Sequence, residues 1–311
     1  MRLKYRSLCC ITEHLFIRIL QYILFKVFLQ LGAWLPLSFL QLLAKSWSAC
    51  LYCLPTKTKA VTEKNLSTCF PKMSDTELEK LTRASLTNTA CAMLEMGKSW
   101  VPPMEESLKL VVDSEGEEQF LSAARSSSGV ILLAPHIGNW EIFGFHLCDK
   151  LKSTWLYQPP KFELLDKLIT KTRSRAGIEM TPTNRAGVSN LLGALKRGEV
   201  VGILPDQIPS PEGGQFTPFF GEPALTMTLV SKLIQKTQAK VFCGFAKRLS
   251  DAKGYKVIVK EAKSDIYSKD INKSLIALNK TIENTILISV EQYSWEYKRF
   301  RKRPDGSRFY D

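Results

Sequence analysis

The sequence predicts an α/β protein: a largely parallel sheet flanked by helices, preceded by an N-terminal helical segment that anchors it to a membrane. Two observations carry this. After Val130, short apolar runs that read as strands alternate with runs at helical spacing. Before that, Val27 to Ala44 ("VFLQLGAWLPLSFLQLLA") carries no charge over nearly the length that a spanning helix needs. At 311 residues the chain has room for one large core plus an anchor. The boundaries expected are residues 1–54 for the anchor and 55–311 for the folded domain.

The anchor comes first. Upstream of Val27, "LFIRILQYILF" is also apolar, interrupted by Arg18. A cleaved signal peptide does not fit: the stretch is long, it contains Lys26 with Gln30 and Gln41 beyond it, and no small-x-small site follows. Two arrangements stay open. In one, a single helix crosses the bilayer with Arg18 and Lys26 reaching for one interface. In the other, two helices meet near Pro36 and lie in the interface. Positive charge on both flanks leaves the orientation rule nearly silent.

Beyond Pro55 the pattern becomes that of a folded domain. "MSDTELEKL" places Ser74 or Asp75 as a helix cap, with acids in the first turn. Strands are expected at 130–134, 154–157, 178–182, 200–204, 240–245 and 255–259. Helices are expected at 140–150, 162–176, 187–196, 225–237 and 269–288. The stretch 206–223, rich in Gly and Pro, reads as the longest irregular loop, and such loops usually serve function.

The net charge is +13, which predicts attraction to anionic partners. Eight Lys and Arg fall in residues 1–60 (Arg2, Lys4, Arg6, Arg18, Lys26, Lys45, Lys57, Lys59) against one acid, Glu13. A second basic cluster, Lys298 to Arg308, closes the chain. No helix-turn-helix, zinc-finger or RNA-recognition signature accompanies this charge, so no nucleic acid is expected. The first cluster flanks the apolar segment, which favours a membrane. Of eight cysteines, Cys50 and Cys53 form a lone C-x2-C with no second pair. Cys9, Cys10, Cys69, Cys91, Cys148 and Cys243 are scattered, as expected for reduced thiols in a cytosol-facing protein.

The chain has only three histidines, and His136 stands where chemistry collects in open α/β sheets, just past the run "VILLAP". Asn139 reads as the N-cap of a helix beginning at Trp140, and Glu141 falls in its first turn. Gly138 permits the backbone that would let Glu141 fold back onto the imidazole. A carboxylate on one ring nitrogen fixes the tautomer and raises the basicity of the other, as general-base catalysis requires. A structural histidine is the ordinary alternative. A metal site using His136, Glu141 and His146 lacks the one-face spacing of H-E-x-x-H. No G-x-S-x-G elbow is present for a serine hydrolase.

"HIGNWE" resembles the H-x4-E signature of the bacterial lipid A biosynthesis acyltransferases, the late lauroyl and myristoyl transferases. Further blocks follow in family order: "KNLSTCFP" (64–71), "TKTRSRAGIEM" with its arginines, "GILPDQ" (202–207), "FTPFFGEPALT" (216–226) and "EQYSWEYKRFRKRPDG" (291–306). The resemblance runs from about residue 20 to the end. It implies a glycerolipid-acyltransferase-like fold at the bacterial inner membrane, with the catalytic domain on the cytoplasmic face. It also implies transfer of an acyl chain from acyl carrier protein to a hydroxyl of a Kdo-modified lipid A precursor, with no cofactor beyond the acyl-carrier donor.

By that resemblance His136 is the general base and Glu141 orients it. Arg173 matches the family's active-site arginine, with Arg175 as its rival. Asp206 and Gln207 help to shape the substrate site, though Asp206 reads equally as a turn former. Phe219, Phe220 and Gly221 are expected as a wall of the acyl pocket, with plain core packing as the alternative. Trp140 could line the same pocket, and Asn139 is a cap before it is a ligand. Acyl carrier protein, the lipid A precursor and inner-membrane lipids, all acidic, are the partners implied. Three positions depart from the family pattern: Val290 where Pro is common, Tyr297 where His is usual, and "AKVFCGF" where a proline often follows the strand. Three rivals stay open: a glycerolipid acyltransferase of the H-x4-D type, an acyl-CoA donor, and an inactive relative that binds lipid or carrier protein as a scaffold.

Overall fold

The computed structural model describes residues 2–126 and 128–310, with side chains from Ile17 onward. The side chains of Arg2, Lys4, Arg6, Cys9, Cys10 and Glu13 therefore lie outside the described residues. The chain opens with six helices: α1 (Arg2–Trp34), α2 (Leu37–Cys53), α3 (Lys57–Cys69), α4 (Asp75–Leu94), α5 (Met96–Trp100) and α6 (Met104–Leu108). Pro36, which cannot continue a helix, separates α1 from α2. Ser74 caps α4 through a capping box: its Oγ accepts from Glu77 N, and its own N–H donates to Glu77 Oε2 at 2.8 Å.

The domain then alternates: β1 (Val111–Glu115), α7 (Glu117–Ala124), β2 (Val130–Leu133), α8 (Trp140–Cys148), β3 (Ser153–Tyr157), α9 (Glu163–Ser174), β4 (Ile178–Pro182), α10 (Arg185–Lys196) and β5 (Val200–Ile203). A two-stranded hairpin, β6 (Gly214–Phe219) and β7 (Glu222–Met227), leads to α11 (Leu229–Thr237), β8 (Lys240–Arg248), β9 (Tyr255–Glu261) and α12 (Ile271–Ile286). Seven strands form one sheet in the order β1-β9-β8-β2-β5-β3-β4, parallel except for β8 against β9. The α/β class and the largely parallel sheet are as the sequence predicts.

The central strands are continuous apolar runs because both faces of the sheet are covered. Alternate residues take opposite sides. Ile131, Leu133, Val201, Ile203 and Val241 pack with α10, α11 and α12, while Val130, Leu132, Val200 and Phe242 pack with α7 and α8. Gly202 is required by a close approach: a Cβ there would sit 2.0 Å from the Trp155 ring.

Three strands differ from the sequence expectation. The stretch read as a long loop, 206–223, contains β6 and the start of β7, and β7 runs on to Met227, so the helix expected from 225 begins at Leu229. Pro218 and Pro223 face each other across the pair, which is tolerated because neither strand joins the main sheet. The turn is made by Phe220 and Gly221, both with positive φ (49° and 86°), the signature of a tight two-residue hairpin. Strand β1 was not anticipated: its central residues, Asp113 and Ser114, are polar because it is an edge strand with an exposed face.

Candidate active site

The site is built where two adjacent parallel strands end. Leu133 of β2 pairs with Ile203 of β5 in register, and Ala134 N donates to Ile203 O to carry the ladder one step further. His136 lies three residues past Leu133, and Asp206 three past Ile203. Each follows a proline that stiffens the exit, in "LAPH" and "ILPD". Equal offsets on neighbouring parallel strands bring the two side chains together.

Asp206 holds the imidazole at two points. Its Oδ1 lies 2.9 Å from His136 Nδ1, and its Oδ2 accepts the His136 backbone N–H at 2.9 Å. The carboxylate is 3% exposed and the ring 17%. On the other side of the ring, Gln207 Nε2 lies 3.2 Å from His136 Nε2. This network assigns the proton to Nδ1, donating to Asp206, and leaves Nε2 as the acceptor that faces outward. Trp140 packs against the ring, centroids 5.2 Å apart. Burial by itself would lower the pKa of His136, but the charge and hydrogen bond of Asp206 outweigh it and raise the value above the ordinary 6.5; Glu296 and Glu141 add to the rise. Burial likewise pushes the Asp206 carboxyl up, and His136 more than reverses this, so Asp206 sits below the usual carboxylate range.

Glu141 does not orient His136. The carboxylate on Nδ1 comes from Asp206, and Glu141 is engaged by Arg173. The Arg173 guanidinium donates from Nε to Oε2 at 3.1 Å and from Nη2 to Oε1. The reason lies in the helix: its first turn aims Glu141 at the C-terminal end of α9, where Arg173 sits, while His136 remains in the preceding turn beside β5. Burial works against the Arg173 charge, and Glu141 more than restores it. The pair flanks a narrow fissure, about 10 Å3 in volume, lined also by Trp140, Phe145, Trp155 and Leu204.

The other expected residues sort themselves by contact. Arg175 turns away, donating to the carbonyls of Trp100 and Pro102, and so is not the partner of Glu141. Asn139 is fully engaged as a cap: its Oδ1 accepts from Ile142 N, and its Nδ2 donates to Ser99 Oγ and Tyr255 Oη. It has no group left to offer a substrate. Phe219 and Phe220 pack on Phe300, Phe70 and Trp295, and Gly221 completes their turn. They belong to the core beneath the hairpin, and the fissure has other walls. His146 bonds Glu117 at 3.0 Å and does not join His136 and Glu141.

Several residues that hold the site gave no isolated signal in the sequence. The segment 292–294 pairs with the histidine turn: Gly138 N donates to Gln292 O, and Ser294 N to His136 O, both at 3.0 Å. The Gln292 amide satisfies both backbone groups of Arg248. Tyr297 accepts the Ile208 N–H at 2.8 Å and so braces the loop bearing Asp206 and Gln207. Asn65 of the "KNLSTCFP" block donates to the carbonyls of Trp295 and Tyr297. Behind Asn139, the fully buried Glu95 accepts from Tyr255 Oη at 2.7 Å and from Arg248 Nε and Nη2. Glu296, which receives a bond from Thr89, has its pKa raised by burial.

A covered parallel sheet that presents an acid-held imidazole at the ends of adjacent strands defines a class: an α/β enzyme equipped to move a proton at its strand ends. Comparison with known proteins then supplies the particular family. The model of the bacterial lipid A biosynthesis acyltransferases matches residues 12–302, and the chain belongs to that family. It is 30% identical to the lipid A biosynthesis palmitoleoyltransferase of Escherichia coli (strain K12) over 253 residues, 80% of this chain and 81% of that protein. It is 28% identical to the lauroyltransferase of the same organism, covering 79% and 80%. A lipid A biosynthesis acyltransferase of Haemophilus influenzae is 27% identical, covering 82% and 79%.

Proposed function

We propose that the protein transfers a fatty acyl chain from acyl carrier protein to a hydroxyl of a Kdo-modified lipid A precursor, at the cytoplasmic face of the inner membrane. His136 acts as general base. The acceptor hydroxyl displaces the exposed Gln207 amide and donates to His136 Nε2. As its oxygen attacks the thioester carbonyl, the proton passes to Nε2, and Asp206 stabilises the imidazolium that forms. The tetrahedral intermediate collapses, the C–S bond breaks, and the leaving thiolate takes the proton back from His136. The observation that carries this chemistry is the His136–Asp206 pair, with its second ring nitrogen facing outward.

Glu141 and Arg173 act as a fixed ion pair beside the reacting centre. Arg173 places positive charge where an oxyanion or a lipid phosphate would lie, and Glu141 holds it there. The charge of +13 suits a donor carrier and an acceptor lipid that are both acidic. The division into an anchor at residues 1–54 and a catalytic domain at 55–311 belongs to the same reading.

Purified protein supplied with acyl-acyl carrier protein and the precursor should form the acylated lipid. His136→Ala should lower turnover by at least about 10² while leaving the unfolding transition in place. Full turnover in that variant would remove His136 from the mechanism.

A further inference from the structure

We infer that Lys64, Lys298, Arg301, Lys302 and Arg303 form the surface on which the donor's carrier protein docks, receiving its acidic side chains beside the loop that bears Gln207. The inference rests on the donor reading above and adds the surface.

The C-terminal segment is fixed in place before any partner arrives. Arg299 is 2% exposed and ties the segment to β7, donating to Leu225 O at 2.7 Å and to Thr226 Oγ1 at 3.2 Å. The chain then turns back on itself. Tyr310 Oη donates to Asn65 Oδ1 at 2.6 Å and accepts from Phe300 N at 3.0 Å. Phe309 and Tyr310 meet edge-on, with 4.8 Å between centroids. Three cations gather on these two rings. Lys64 and Arg303 stand over Phe309 at 5.2 and 5.1 Å, and Lys298 stands over Tyr310 at 5.5 Å. The negative ring faces hold the cations there. Arg301 and Lys302, on the same segment, are exposed.

The positive charge is poorly balanced. Among the described residues, Arg303 alone of the five forms an ion pair, with Glu222 at 3.2 Å. The nearby acids in sequence are engaged elsewhere: Asp305 bonds Ser307, and Glu63 faces Lys59 at 3.8 Å. Like charges drawn together on two rings raise the local potential, and an acidic partner relieves it.

Position selects which acidic partner. Ser294 N donates to His136 O, and Tyr297 Oη accepts from Ile208 N, next to Gln207. Asn65 Nδ2 donates to the carbonyls of Trp295 and Tyr297. Lys298 directly follows Tyr297 and Lys64 directly precedes Asn65, so the cations begin one residue from the groups that brace the histidine turn. A lipid surface asks for apolar side chains among the cations. Here the exposed residues of 57–72 and 297–308 are charged or polar apart from Ala60, Pro71, Pro304 and Gly306. A rigid cationic surface without exposed large apolar groups, next to the general base, fits a folded acidic protein.

The test is steady-state transfer by the full chain, with donor and lipid acceptor varied in turn. Lys298→Glu combined with Arg301→Glu, two exposed positions, should raise the KM for acyl-acyl carrier protein by about tenfold. The KM for the lipid and the unfolding transition should stay in place. Lys236→Glu combined with Lys263→Glu makes the same change of charge at exposed positions beside Lys240 and Ala262, where β8 starts and β9 ends, away from His136. That variant should keep the wild-type donor KM. Should the first variant fail to fold, Lys298→Gln with Arg301→Gln reads the same KM, with a rise of about threefold. An unmoved donor KM overturns the surface. An equal rise in the Lys236/Lys263 variant assigns the effect to net charge and overturns it too. A rise confined to the lipid's KM overturns it in favour of contact with the acceptor's phosphates. Wild type that accepts acyl-coenzyme A and refuses acyl-acyl carrier protein overturns the donor reading itself.

Discussion

At the scale of single residues, one carboxylate serves the base and another serves the arginine. The sequence places His136 and Glu141 five apart and invites their pairing. What it does not display is that β5 lies beside β2, and only that adjacency brings in Asp206. A signal was present in hindsight: "LAPH" and "ILPD" are matching strand exits, each an apolar run, a proline and a titratable residue. Recognising them requires knowing that the strands neighbour each other. The Glu141–Arg173 pair makes a separate prediction. Both side chains are largely buried, at 8% and 18% exposed. Arg173→Ala strands the Glu141 charge and should cost about 3 kcal/mol in chemical denaturation. Glu141→Gln in the same background should recover part of that loss, and no recovery would argue against the pair as the source.

At the scale of elements, the turn from His136 to Asn139 is held from every side. Gly138 has φ 59°, and a Cβ there would meet Ala246 O at 2.1 Å. Gly138→Ala should therefore lower both stability and turnover, read by thermal unfolding and acyl transfer; a variant unaltered in both would show the turn to be more yielding than its contacts imply. Behind the turn, the Tyr255 hydroxyl donates to Glu95 and accepts from Asn139. Tyr255→Phe removes both bonds and should cost about 1–3 kcal/mol in unfolding free energy. The strands of the main sheet were legible because buried parallel strands are uninterrupted apolar runs. The β6–β7 hairpin was not, because its prolines and glycines imitate a loop, and its pairing is visible only in the register of Pro218 against Pro223. Glu95, Arg248 and Tyr255 were equally silent: they are far apart in sequence, and each alone reads as an ordinary charged or aromatic residue.

At the scale of the whole molecule, the net charge of +13 bears on the proposed recruitment of an acidic donor. Exposed charges are screened over about 8 Å at physiological salt, so the KM for acyl-acyl carrier protein should rise several-fold with ionic strength while kcat changes little. A flat KM would separate the +13 charge from donor recruitment. The family was readable from ordered sequence blocks, and the fold class from the alternation of strand-like and helical runs. The identity of the histidine's partner was not, because it is a property of sheet topology.

The pH dependence of kcat/KM, compared between the wild type and Asp206→Asn, tests the central claim most directly. A general base works only when neutral, and Asp206 raises the pKa of His136 above 6.5, so wild-type activity should rise with pH through a midpoint above that value. Asparagine removes the charge that favours the imidazolium; the midpoint should move to lower pH and the plateau should fall by about 10². An unmoved midpoint with an undiminished plateau would show that Asp206 does not act through His136, and would contradict the account.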